Sequence, residues 1–120
     1  MSGIVSQTLA GPAGPLTVRR LAATRERRGT LLFVHGAWSS SWYWEAHFMP
    51  FFADCGFDTV ALDLRGHGGS AGTLGRSTIG DYVADVAAVA ATSENPVVIG
   101  HSMGGLVAQH YATRHPVRGL

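Results

Sequence analysis

A serine between two glycines directly follows an apolar run near the end of this chain. Ser102 is the centre of Gly-His-Ser-Met-Gly, residues 100–104, and residues 96–99 before it read Pro-Val-Val-Ile. Gly100 and Gly104 leave space where a Cβ would clash, and a tight turn from strand to helix exposes such a serine hydroxyl. The pattern therefore predicts that Ser102 is a nucleophile in strained backbone geometry.

A serine that attacks a carbonyl carbon also needs N–H donors for the oxygen that becomes negatively charged. The backbone N–H of Met103 stands at a predicted helix start, where such groups are free, and is one candidate. The other candidate is the N–H of Ala37, in the loop that follows the apolar run 30–34. Trp38, the next residue, is expected to line the substrate pocket.

The elements that must position these residues alternate between strand and helix patterns. Strands are predicted at residues 16–21, 30–34, 57–62 and 96–100, and helices at 44–55, 79–90 and 102–115. Thr78 and Asp81 have the spacing of a capping box, and Asp81 and Asp85 are expected to face water. The alternation predicts an α/β fold with a mostly parallel sheet and helices on both faces.

Three motifs then resemble a known family, the α/β-hydrolases, in the order in which that family has them. They are FVHGAWSSSWYW at 33–44, ALDLRGHGGS at 61–70 and VVIGHSMGG at 97–105. The resemblance covers residues 16–120 and implies that residues 1–120 are the N-terminal part of a single domain. It implies hydrolysis of a small carboxylic ester through an acyl-enzyme on Ser102, and it matches Ala37 to the oxyanion donor after His-Gly.

Two members of that family, the haloalkane dehalogenases and the epoxide hydrolases, have an aspartate where this chain has Ser102. The serine argues against both activities. Esterases and lysophospholipase-like lipases have motifs similar to those of this chain, and the resemblance implies no cofactor.

The acid and the base that follow the serine in this family have no counterpart here. After Ser102 the chain has no Asp or Glu, and its only later histidines are His110 and His115. His110 is eight residues further along the same predicted helix, about 12 Å away by the helical rise, which is too far for a base. We therefore expect a chain truncated after the nucleophile helix, as a fragment or an incomplete gene product, and inactive by itself.

Bulk composition excludes several classes of partner. The formal net charge is +1, which argues against nucleic acid, and no apolar run is long enough to span a bilayer. Cys55 is the only cysteine, so no internal disulfide can form, and no signal-peptide pattern opens the chain. We expect a cytoplasmic protein that acts on a small molecule without a metal.

Two other readings of the chain stay open at this point. The chain could be a non-catalytic remnant or a small binding module. Its parent could also have the same fold with another role, as a C–C hydrolase, a hydroxynitrile lyase or a ligand receptor. The loop histidines His35, His67 and His101 are expected to hydrogen-bond to the backbone rather than to transfer protons.

Overall fold

Strands and short helices alternate along most of the chain. The structure, a computed structural model, describes residues 3–120 apart from the side chain of Leu74. In chain order the elements are β1 (Val5–Gly11), β2 (Gly14–Leu21), β3 (Gly29–Val34), α1 (Trp42–Glu45), α2 (Phe48–Asp54), β4 (Phe57–Leu62), a 3₁₀ turn (Leu74–Arg76), α3 (Ile79–Ala90), β5 (Val97–Gly100) and α4 (Met103–Ala112). The longest helix has 12 residues, and none in the described part of the chain is long and apolar enough to cross a membrane.

The five strands form one mixed sheet in the order β1-β2-β4-β3-β5. β3 lies at the centre of the parallel part and pairs with β4 on one side and β5 on the other. β2 runs antiparallel to both β1 and β4. The α/β class is confirmed. The sheet is less parallel than predicted because the hairpin of β1 and β2 joins it, and β1 itself was missed since its exposed, polar residues carry little apolar pattern.

Helices cover both faces of this sheet, as predicted. Successive residues of β3 point to opposite faces, so that Leu32 and Val34 pack under α3 and α4 while Leu31 and Phe33 pack under α1 and α2. All six residues of β3 are buried. This is the burial expected of a parallel strand with helices on both sides, and it fixes the position of the loop that follows β3.

The helix predicted across residues 44–55 is two helices instead of one. α1 ends at Glu45 and α2 begins at Phe48, with His47 between them at φ −130°. The apolar spacing survives the break, because Trp44 from α1 and Met49 from α2 enter the same core cluster. The spacing of apolar residues therefore did not reveal where one helix ends and the next begins.

The start of α3 is confirmed, and one residue on that helix contradicts its prediction. The capping box forms, with Thr78 Oγ1 accepting from the Asp81 N–H at 3.1 Å and Asp81 Oδ2 accepting from the Thr78 N–H at 2.9 Å. Asp85, expected to face water, is fully buried. The guanidinium of Arg65, from the loop after β4, reaches its carboxylate at 2.9 Å and neutralises it. Helical spacing could not show this partner, which lies 20 residues away in sequence.

Candidate active site

Ser102 occupies the sharp connection between β5 and α4. β5 ends at Gly100 and α4 begins at Met103, so only His101 and Ser102 join strand to helix. Ser102 has φ +57° and ψ −123°. The φ is positive, which is strained for a residue with a Cβ, and the ψ is far from the value of about +47° of the left-handed helical region. The residue is exposed, so a ligand can reach it from solvent.

Glycines let three backbone segments approach one another around Ser102. A Cβ placed on Gly36 would lie 3.1 Å from the Ser102 Cβ and 3.2 Å from the His101 carbonyl oxygen. A Cβ on Gly104 would overlap the carbonyl oxygens at the end of β3, and one on Gly100 would overlap the first turn of α4. A side chain at Gly36 or Gly104 would force the loop after β3 away from the serine, and one at Gly100 would push β5 away from the first turn of α4.

Two backbone N–H groups next to Ser102 donate no hydrogen bond within residues 3–120. One belongs to Ala37, which follows Gly36 and is exposed, and the other belongs to Met103, the first residue of α4. The structure thus brings Ala37, Met103 and Ser102 to one edge of the sheet. That the two N–H groups converge on a single point stays a prediction. Trp38 follows Ala37 with φ +62° and is 84% exposed.

His35 lies fully buried beneath this loop and has one defined tautomer. Its Nε2 accepts a hydrogen bond from the Leu64 N–H at 3.0 Å, so the ring proton must be on Nδ1. Nδ1–H then donates to the carbonyl oxygen of Gly36 at 2.6 Å. Burial lowers the pKa of His35, which keeps the imidazole neutral.

A buried carboxylate, which the sequence reasoning did not single out, ties the loop after β3 to the loop after β4. Asp63 accepts from the Ser41 N–H at 2.7 Å and from the Gly69 N–H at 3.1 Å. Its carbonyl oxygen accepts from the Ser70 hydroxyl at 2.5 Å. The signal in the sequence was its place at the end of an apolar strand, just before a glycine-rich turn.

The other loop histidines differ from one another. His67 is buried, and its Nδ1–H donates to the Arg65 carbonyl oxygen at 3.0 Å, while its ring lies 4.8 Å from that of His35. The backbone role predicted for His35 and His67 is therefore confirmed. His101 instead stacks its ring on that of Tyr43, with 4.5 Å between the ring centroids.

No histidine or carboxylate in the described part of the chain hydrogen-bonds to the Ser102 hydroxyl. His110 is exposed on α4, and His115 stacks on the ring of Tyr111 at 4.4 Å. Within residues 3–120 the arrangement therefore offers an exposed hydroxyl and two free N–H donors, and no base is hydrogen-bonded to that hydroxyl.

Comparison with known proteins shows relatives of several activities. A family model described as serine aminopeptidase, S33, matches residues 25–120. A bifunctional esterase/perhydrolase of Acinetobacter calcoaceticus is 39% identical over 93 residues, which are 75% of this chain and 33% of that protein. Epoxide hydrolase B of Mycobacterium tuberculosis is 33% identical over 97 residues, which are 78% of this chain and 27% of that protein.

Solved structures show the same fold. An epoxide hydrolase from an endophytic Streptomyces superposes with a TM-score of 0.79 at 28% identity, covering 94% of this chain and 34% of that one. The chain spans about a third or less of the length of the relatives it matches. Because the family match extends over most of the sequence, the chain belongs to the α/β-hydrolases, in the family described as serine aminopeptidase, S33.

Proposed function

We propose that Ser102 is the nucleophile of a hydrolase that cleaves small carboxylic esters through an acyl-enzyme. The observation that carries the proposal is the backbone of Ser102, a residue with a Cβ held at φ +57° between β5 and α4. Strain of this kind persists only where the surrounding packing imposes it, and it concentrates at functional sites. The free N–H groups of Ala37 and Met103 beside it support the same chemistry.

The proposed reaction has two acyl-transfer steps. The Ser102 hydroxyl attacks the ester carbonyl carbon and gives its proton to a base, while the carbonyl oxygen accepts hydrogen bonds from Ala37 and Met103. Collapse of the tetrahedral intermediate breaks the bond to the alcohol, which takes up the proton. Water then hydrolyses the acyl-enzyme by the same route. We place the base and the acid that orients it outside residues 1–120.

Trp38 is the proposed wall of the acyl pocket. It follows the oxyanion candidate Ala37 directly, and the residue is 84% exposed. An uncovered aromatic surface beside the reacting carbonyl suits a small apolar acyl group. Ester substrates with short chains are therefore the ones to test first.

The chemistry of a hydroxyl nucleophile separates this proposal from epoxide opening. A carboxylate that attacks an epoxide carbon forms an ester, which water can hydrolyse. A serine hydroxyl at the same place would form an ether, which stays on the enzyme. An amide substrate would pass through the same acyl-enzyme as an ester, so the test includes one.

The test compares Ser102→Ala with Ser77→Ala in the full-length protein. Ser77 lies in the loop before α3, outside the proposed site. With p-nitrophenyl butyrate as substrate, we expect Ser102→Ala to lose about a thousandfold or more in kcat/KM and Ser77→Ala to change little. A fluorophosphonate probe should add its mass to the peptide that contains Ser102.

Leucine p-nitroanilide and styrene oxide serve as competing substrates in the same assay. Ester turnover that survives in Ser102→Ala within about twofold of the unmodified protein contradicts the proposal. Faster turnover of the anilide than of the ester would contradict ester specificity and indicate that the substrates are peptides. Hydration of styrene oxide that depends on Ser102 would also count against acyl transfer.

A further inference from the structure

We infer that His35 is a positioning residue for the oxyanion site, because its imidazole holds the peptide unit that carries the Ala37 N–H. The inference rests on the proposed function, since it assigns His35 a part in the same reaction. The ring of His35 hydrogen-bonds to Gly36 and Leu64 and not to Ser102, and it takes no part in the bond changes of the proposed reaction. It acts through the backbone of Gly36.

The Gly36 carbonyl and the Ala37 N–H belong to one trans peptide unit, so they point in opposite directions. The Gly36 oxygen accepts from His35 Nδ1–H at 2.6 Å and from the Ser39 N–H at 3.3 Å. These two donors hold the oxygen on the side of the buried ring. The Ala37 N–H is thereby held on the opposite side, where it meets no protein acceptor among the described residues.

The ring of His35 is itself fixed at its other nitrogen. Nε2 accepts from the Leu64 N–H at 3.0 Å, and the ring has no exposed surface. Rotating the ring or moving its proton to Nε2 would leave the Leu64 N–H and the Gly36 oxygen without this partner. One tautomer in one orientation therefore satisfies both neighbours.

Hydrogen bonding at the carbonyl also strengthens the donor on the same peptide unit. A carbonyl that accepts hydrogen bonds is polarised, and the N–H conjugated with it becomes a better donor. His35 thus serves the Ala37 N–H in two ways, by aiming it and by polarising it. Both effects apply to the oxyanion that forms in the transition state, and they predict a change in kcat rather than in KM.

Two substitutions separate the nitrogens of His35. His35→Asn keeps an N–H donor near the position of Nδ1, and His35→Gln keeps an acceptor near the position of Nε2. We expect His35→Gln to lose about 10- to 100-fold in kcat for p-nitrophenyl butyrate with KM within about twofold, less than the loss of a whole oxyanion donor. We expect His35→Asn to restore most of that loss.

His67→Gln is the matched control. His67 is also buried, its ring lies 4.8 Å from that of His35, and its Nδ1–H donates to a carbonyl outside the oxyanion loop. We expect this variant to lower the melting temperature without a specific loss of kcat. If His35→Gln lowers kcat no more than His67→Gln does, or if His35→Asn is as slow as His35→Gln, the inference is wrong.

Two further measurements keep this test apart from the proposed function. If Ser102→Ala retains ester turnover, the proposed function fails, whatever the His35 variants do. The tautomer is read independently by ¹⁵N NMR of the full-length protein labelled at histidine, at about pH 7.5, above the ordinary histidine pKa. We expect a neutral His35 protonated at Nδ1. A ring protonated at Nε2, or at both nitrogens, would overturn the inference even where the variants do not fold.

Discussion

Ser102 and His35 are held in place by different means. Ser102 is exposed, and its position is imposed by the backbone at the end of β5 and by the close approach of Gly36. His35 is buried, and its position is imposed by one hydrogen bond to the backbone of its own loop, at Gly36, and one to the loop after β4, at Leu64. A substitution at Ser102 should therefore affect chemistry, whereas one at His35 should also affect stability.

The burial of His35 predicts that the free energy of unfolding decreases as the pH is lowered below neutrality. Burial lowers the pKa of His35 by more than the hydrogen bond to the Gly36 carbonyl raises it. The neighbouring His67 lowers this pKa further, and Asp63 raises it. In the unfolded chain this histidine takes up a proton below about pH 6.5, while in the folded chain it stays neutral. Its contribution to the free energy of unfolding is therefore complete above about pH 6.5 and is lost as pH falls from there toward the folded-state pKa.

Urea unfolding at about pH 7.5 and 5.5, on either side of the ordinary histidine pKa, measures this loss. Both values lie above the range in which carboxylates titrate. His35→Asn should show a smaller decrease between the two pH values than the unmodified protein. An equal decrease in both proteins would mean that another group is responsible.

Among the elements, the contact of α4 with β3 depends on glycine. The first turn of α4 lies against the carbonyl ends of β3, so close that a Cβ on Gly104 would overlap two backbone oxygens. The neighbouring Gly105 is different, since a Cβ there would lie 3.7 Å from the Gly100 oxygen, an ordinary contact. Two adjacent glycines of one helix therefore have different structural roles.

Alanine at these two glycines should change stability in opposite directions. Gly104→Ala should lower the free energy of unfolding by about 1–3 kcal/mol or more, because backbone atoms of β3 cannot move away as a side chain would. Gly105→Ala should raise it by about 0.5–1 kcal/mol, the gain from replacing glycine inside a helix. Urea unfolding curves measure both. Equal effects would show that α4 does not depend on this close approach.

In the molecule as a whole, the nucleophile strand β5 has one well-paired edge and one sparsely paired edge. Its inner edge pairs with β3 over four residues. Among the described residues, its outer edge is paired only near its start, by the parallel bridge of Val97 with Gly119. The Val98 N–H donates to the Gly119 oxygen at 3.0 Å, and the Arg118 N–H donates to the Pro96 oxygen at 3.2 Å. Unpaired strand edges of this kind pair readily with other chains.

Residues 1–120 produced alone should therefore be poorly soluble and should show no hydrolysis that depends on Ser102. The first expectation follows from the outer edge of β5, and the second from the lack of a base at the Ser102 hydroxyl. Size-exclusion chromatography, thermal unfolding and a short-chain aryl ester assay beside Ser102→Ala test both. A soluble monomer that melts cooperatively would refute the first, and turnover abolished by Ser102→Ala would refute the second.

Local pattern in the sequence was enough to predict much of this fold. The apolar runs of β3 and β5 are continuous, and β4 ends in a shorter one at residues 60–62. The Thr78–Asp81 capping box marks the start of α3. The glycines around Ser102 predicted a strand-to-helix turn at the place where the structure has one. These features depend on residues close together in the chain, which is why they could be read from it.

Only the tertiary structure decided the features that join distant residues. Asp85 is buried because Arg65 reaches it from another loop, and the tautomer of His35 is set by Leu64, 29 residues further along the chain. β1 escaped the pattern because its residues are mostly exposed and carry no periodic apolar signal. β2 was predicted as a strand, but its antiparallel pairing with β1 and β4 was not. Such contacts depend on which strands become neighbours in the sheet, and the spacing of apolar residues does not encode that order.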